Sequence, residues 1–120
     1  MMPRFSLAHL TVLGCTPAEA TIIAAETGYD HVSFRTIPLG LPGEPAYPLA
    51  SDKAMARQTK AALADSGLTL LDIEVARISN DREVEDYRAA LENAAELGAR
   101  HVVVCAFGEA ARIADQFAHL

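Results

Sequence analysis

Tryptophan is absent from this 120-residue chain, cysteine occurs only twice, and no run of basic residues or long apolar stretch appears in it. Each scarcity narrows the possibilities. Cys15 and Cys105 have no CxxC or histidine-spaced partner, so neither a disulfide framework nor a zinc motif is spelled out. Two free thiols in a reducing compartment are the expectation. Ten lysines and arginines stand against 16 acids, a net charge of −6 with both signs mixed along the chain. Nucleic-acid affinity comes from neutralising phosphates with a basic stripe, and none is present. No apolar run approaches the roughly 20 residues of a membrane helix. The start, Met1-Met2-Pro3-Arg4, lacks the apolar block and cleavage site of a signal peptide, so a cytoplasmic location is expected.

Apolar residues make up 51% of the chain, enough to build a core. A chain of this length forms one domain, 1–120. Three segments share a pattern: Ala24–Arg35, Ala62–Val75 and Ala94–Phe107. Each is an alanine-rich helix end, a glycine, a short link and a β-branched strand. Glycines 28, 67 and 98 stand where a helix C-terminus needs a residue that tolerates positive φ. Thr16-Pro17-Ala18-Glu19 reads as a capping box with proline at the first helical position. Asn80-Asp81-Arg82-Glu83 reads as a second capping box, and Ser51 or Asp52 as the cap between them. The expected elements are strand Phe5–Leu10, helix Pro17–Thr27, strand His31–Thr36, helix Lys53–Asp65, strand Leu70–Ile78, helix Arg82–Leu97, strand Val102–Ala106 and helix Glu109–Leu120.

Strict β-α alternation implies a parallel sheet with right-handed crossovers. Four such units fit an open doubly wound sheet or half of a barrel. The turn Leu13–Pro17 has neither G-x-G-x-x-G nor GxxxxGK[ST], the phosphate loops open sheets place there. Polar residues alternate within strands: Ser33 and Arg35 with Val32 and Phe34, Asp72 and Glu74 with Ile73 and Val75. That pattern suits a barrel mouth. The expected fold is therefore α/β, a parallel (βα)4 half of a TIM (βα)8 barrel. A complete barrel takes about 250 residues and four strands leave two open edges. Gln116–Leu120 ends inside an apparent helix. Either a C-terminal half follows, or two copies meet as a homo-oligomer.

Barrel active sites lie at the C-terminal strand ends. Asp30, His31, Arg100 and His101 stand at strand starts and read as structural. Arg35, Glu74 and His9 stand at or near strand ends. Arg35 has the planar donor fork that holds carboxylate, phosphate or hydroxyl groups, and a salt bridge to Glu74 is the competing role. Glu74 is a carboxylate in a largely apolar strand, costly unless paired or working. His9 is a candidate for proton transfer or a substrate hydrogen bond, or is a satisfied mouth histidine. Arg77 lies one residue out of phase with Glu74 and is expected to face solvent. The Pro- and Gly-rich loop from Pro38 to Asp52 is long for a βα connection and is placed to cover a substrate, with Tyr47 and Glu44 as its candidate contacts.

The segments FSLAHLTVLGCTPAEA, ETGYDHVSFRTIPL with the following GEPAYPL, LLDIEVARI and AAELGARHVVVCAF resemble, in order and spacing, the N-terminal half of the sugar phosphate isomerase/epimerase family, the xylose-isomerase-like barrels. The resemblance implies a (βα)8 barrel, a divalent metal (manganese, magnesium or zinc), and proton or hydride movement between adjacent carbons of a small sugar or polyol. It assigns the metal ligands to strands five to eight, beyond this sequence, so this chain is expected to supply none and to be inactive alone. Related endonucleases use histidines on strands three and four. Here those strand ends offer Glu74, Cys105 and Phe107, which argues against DNA repair. Glu74 carries over as a mouth residue with a catalytic role, beside His9 and Arg35. A non-catalytic sugar-binding barrel and a self-associating half-barrel are the alternatives.

Overall fold

The computed structural model describes residues 2–120. Strands β1 (Ser6–Leu7), β2 (His31–Arg35), β3 (Thr69–Ser79) and β4 (His101–Phe107) alternate with helices α1 (Pro17–Glu26), α2 (Lys53–Ser66), α3 (Arg88–Glu96) and α4 (Ala110–His119). Short 3-10 helices occupy His9–Val12 and Val84–Tyr87. Every strand pairing is parallel, and the order across the sheet is β1-β2-β3-β4. The fold is α/β with a four-stranded parallel sheet. No helix among the described residues is long and apolar enough to cross a membrane.

Local chemistry sets the helix ends. The Thr16 hydroxyl accepts the Glu19 N–H at 3.2 Å while Glu19 Oε2 accepts the Thr16 N–H at 2.7 Å, so the predicted capping box closes in both directions. Asp52, rather than Ser51, caps α2, its Oδ1 accepting the Met55 N–H at 2.9 Å. Glycines 28, 67 and 98 all have positive φ, 85°, 72° and 94°, which turns the chain from helix toward strand.

One core serves three helices. Ala20 and Ala24 of α1, Leu63 of α2 and Ala94 of α3 belong to the same buried cluster as Leu7, Val32, Phe34, Leu70, Ile73 and Ala76 of the strands. These helices therefore cover a single face of the sheet. A doubly wound sheet would divide its apolar residues between two faces. His31, Ser33 and Arg35, alternating with Val32 and Phe34, project from the other face by the period-two rule. Ser33 aligns with Asp72, and Arg35 with Glu74, across the β2–β3 pairing.

Two elements depart from expectation. The first strand is two residues long, not six, because the chain turns into the 3-10 helix at His9. Helix α3 begins at Arg88, six residues later than the Asn80–Glu83 pattern suggests. Asn80 does not cap it, the N-cap being Tyr87 with no side-chain cap bond; Asp81 Oδ1 accepts the Ser79 hydroxyl at 2.6 Å. That carboxylate forms a local side-chain bond in place of an N-cap bond, the competition expected of short acidic side chains.

Candidate functional site

The short first strand leaves an edge to be satisfied. Leu7 aligns with Val32, and β1 extends no further. The Arg35 amide, three residues along β2, would face no strand. His9 Nδ1 accepts it at 3.0 Å. An N–H donor at Nδ1 requires the other ring nitrogen to carry the proton, and Nε2–H donates to the Cys15 carbonyl at 2.8 Å. His9 is fully buried. Burial holds its pKa below the ordinary imidazole value, against the opposing pull of the Cys15 carbonyl and of Glu74. Both ring nitrogens are thus committed to backbone.

Tyr47 lies over this imidazole. The ring centroids are 4.8 Å apart with planes inclined by 27°, and Phe34 meets the imidazole edge-on at 6.0 Å. The Tyr47 hydroxyl donates to the Leu13 carbonyl at 2.5 Å, tying the long β2–α2 loop to the turn after β1. Ile37, Tyr47 and Leu49 are buried, so this loop is packed into the body of the protein.

Glu44 organises the rest of the loop. Oε1 accepts the Leu39 N–H at 3.1 Å, and Oε2 accepts those of Gly40 and Leu41 at 2.9 and 3.2 Å. Three successive amides converging on one carboxylate form an anion nest filled from within the chain. The Leu39 amide contributes most to holding the Glu44 pKa below the usual carboxylate value, with Leu41, Gly40 and Arg35 adding to it. Arg77 reaches the same segment. Its guanidinium donates to the Leu39 carbonyl at 3.2 Å, which corrects the expectation that it faces solvent. The irregular register between Ile73 and Ala76 reverses the strand phase, so Arg77 comes round toward the loop.

Arg35 is the centre of the arrangement. One terminal nitrogen lies 3.4 Å from Glu74 Oε2 and the other 3.9 Å from Glu44 Oε1. Its side chain is 10% exposed, those of Glu44 and Glu74 5% and 14%. Both contacts exceed the roughly 2.7–2.9 Å of a tight charge-assisted bond, and Arg35 Nε is buried with no partner. A desolvated guanidinium held loosely between two carboxylates retains unused donor capacity.

The five predicted site residues thus share one end of the sheet. Arg35, Glu44 and Glu74 form a charged rim; His9 and Tyr47 stack beneath the loop and hold it. No protein-family model matches this chain, and no curated protein matches it.

A second polar row, part of the same strand alternation but not among the candidate site residues, lies on the same face, nearer the strand starts. Ser6 and Ser33 hydroxyls lie 3.1 Å apart, and Asp72 aligns with Ser33 on one side and His101 on the other. Burial raises the Asp72 pKa, opposed by Ser33 and by His101, and Oδ1 is buried without a partner. The alternation of Ser33 with Val32 and Asp72 with Ile73 was the available signal. Among the described residues no three His, Cys, Asp or Glu side chains cluster so as to hold a metal ion. At the rim, Glu44 is held by three loop amides and Glu74 faces Arg35.

Proposed function

We propose that this chain forms half of a TIM (βα)8 barrel related to the sugar phosphate isomerase/epimerase group, and that the Arg35 rim binds a small polyhydroxylated or hydroxy-carbonyl substrate. The observation that carries this reading is Arg35 itself, nine-tenths buried between Glu44 and Glu74 with slack contacts and an unpartnered Nε. The sequential strand order and the single helix-covered face support the barrel. In this reading Arg35 anchors a substrate oxygen, Glu74 accepts a hydroxyl hydrogen, and His9 positions Arg35 through the backbone. The divalent metal, manganese, magnesium or zinc, would be held by a C-terminal half and would polarise the substrate oxygens when bound. The complete barrel would then act as an isomerase or epimerase in the cytoplasm.

One observation favours the alternative of a non-catalytic sugar-binding barrel: both nitrogens of His9 are used by backbone, leaving this chain no free imidazole base at the rim. The exposed β4 residues Val103 and Phe107, 43% and 65% accessible, support completion of the sheet by a further half or a second copy. Amide NMR titration with aldoses, ketoses and polyols, alongside solution mass, tests the proposal. Expected are saturable shifts at Arg35, Glu74 and the loop from Leu39 to Glu44, abolished by Arg35→Ala, with Arg35→Lys retaining only part of them. Unchanged spectra with every sugar at millimolar concentration would defeat it.

A further inference from the structure

At the strand starts, opposite the Arg35 rim, lies a cavity of about 330 Å³ lined by Arg4, His31, Thr69, Gly98, Arg100 and His101, together with Leu70 and Leu71. The basic side chains come from three separate stretches: the lead-in to β1, the start of β2, and the α3–β4 connection with the start of β4. None of the four is in an ion pair among the described residues. In a chain of net charge −6, this concavity is lined by two arginines and two histidines and by no acidic residue.

The neighbouring groups leave that character intact. Asp30 turns its Oδ2 to the Phe5 amide at 2.9 Å. Asp72 stands beside His101 but belongs to the row with Ser33. At the end of α3 the Ala95 carbonyl accepts the Gly98 N–H at 3.0 Å and the Ala94 carbonyl accepts the Ala99 N–H at 2.9 Å. The His31 ring is oriented by a hydrogen bond between Nδ1 and the Thr69 hydroxyl, which leaves Nε2 unengaged.

We infer that this cavity binds a small dianion of the phosphate or sulfate type, held by the Arg4 and Arg100 guanidinium forks with the His31 and His101 rings and the Thr69 hydroxyl around it. The inference does not rest on the sugar-binding reading, which concerns the other end of the sheet.

Amide NMR and calorimetric titration with inorganic phosphate, then pyrophosphate, at constant ionic strength tests it. Saturable shifts at Arg4, His31, Gly98, Arg100 and His101 are expected, with pyrophosphate binding more tightly. Arg4→Ala and Arg100→Ala should each weaken binding about tenfold, the loss of one charge-assisted contact, while Arg57→Ala on α2 should leave it unchanged. Both cavity arginines are exposed, so the fold survives their removal. Absence of saturation with either anion overturns the inference. So do shifts centred on Arg35, or an equal loss in Arg57→Ala, which would mark diffuse attraction.

Discussion

The ring of Tyr47 stacks on that of His9 at 4.8 Å while the two side chains bond to backbone carbonyls of one turn, Leu13 and Cys15. A loop residue and a residue just past the first strand therefore fasten the same turn from two sides. His9→Phe keeps the aromatic contact and removes both ring hydrogen bonds, stranding the Arg35 amide and the Cys15 carbonyl. At about 1–3 kcal/mol for each of the two buried groups left unpaired, the expected loss is about 2–6 kcal/mol. Urea unfolding, read at the midpoint with unchanged slope, measures it. A loss below about 0.5 kcal/mol, the range of ordinary surface changes, contradicts the assignment.

The lowered pKa of His9 makes stability depend on pH in a definite direction. Below about 6.5 the unfolded imidazole takes up a proton that the folded one still refuses. The unfolded state binds more protons, so stability is full above that pH and declines as pH falls through the lowered folded value. Midpoints measured from pH 7.5 to 5 should decline in the wild-type protein and less steeply in His9→Phe. Parallel curves would show that another group is responsible.

Asp72 works in the opposite sense. Its raised pKa means its contribution is fully present below the unfolded value of 3.8 and is lost as pH rises through the folded value. At neutral pH the carboxylate is a burden, and Asp72→Asn should stabilise the protein. The group is partly solvated, so screening limits the gain to a few tenths up to about 1 kcal/mol. A destabilised variant at pH 7 would show that the charge is needed.

Tyr47→Phe tests the loop anchor alone. The stack on His9 remains and the bond to Leu13 is lost, at a cost of about 1 kcal/mol. Hydrogen exchange should quicken across the loop and stay unchanged in β3 and β4.

For Glu44 the readout is the nest. Glu44→Ala should expose the amides of Leu39, Gly40 and Leu41 to exchange together, because one side chain serves all three. Independent responses among them would deny that they act as a unit.

Much of this arrangement is visible in the residue types. The Thr16–Glu19 capping box, the three positive-φ glycines and the alternation of Ser33 and Arg35 with Val32 and Phe34 are local signals, and local chemistry decided them. The exceptions are long-range. Nothing near His9 announces that β1 stops at Leu7, since the reason lies in an imidazole replacing a strand partner for Arg35, 26 residues away. Arg77 is misplaced by simple alternation because the register shifts before Ala76. Glu44 and Tyr47, expected as substrate contacts from loop position, turn their side chains inward to hold the loop, a matter of hydrogen-bond geometry that composition does not carry.

The unequal strand lengths have a kinetic corollary. β1 contributes two residues to the sheet, whereas β3 runs for eleven and aligns with β4 at six positions. Cooperative opening should start where fewest pairings must break, so fraying should travel from β1 inward. The His9–Tyr47 stack then lies on the side of the molecule that comes apart first, and the β3–β4 ladder persists as the last ordered remnant.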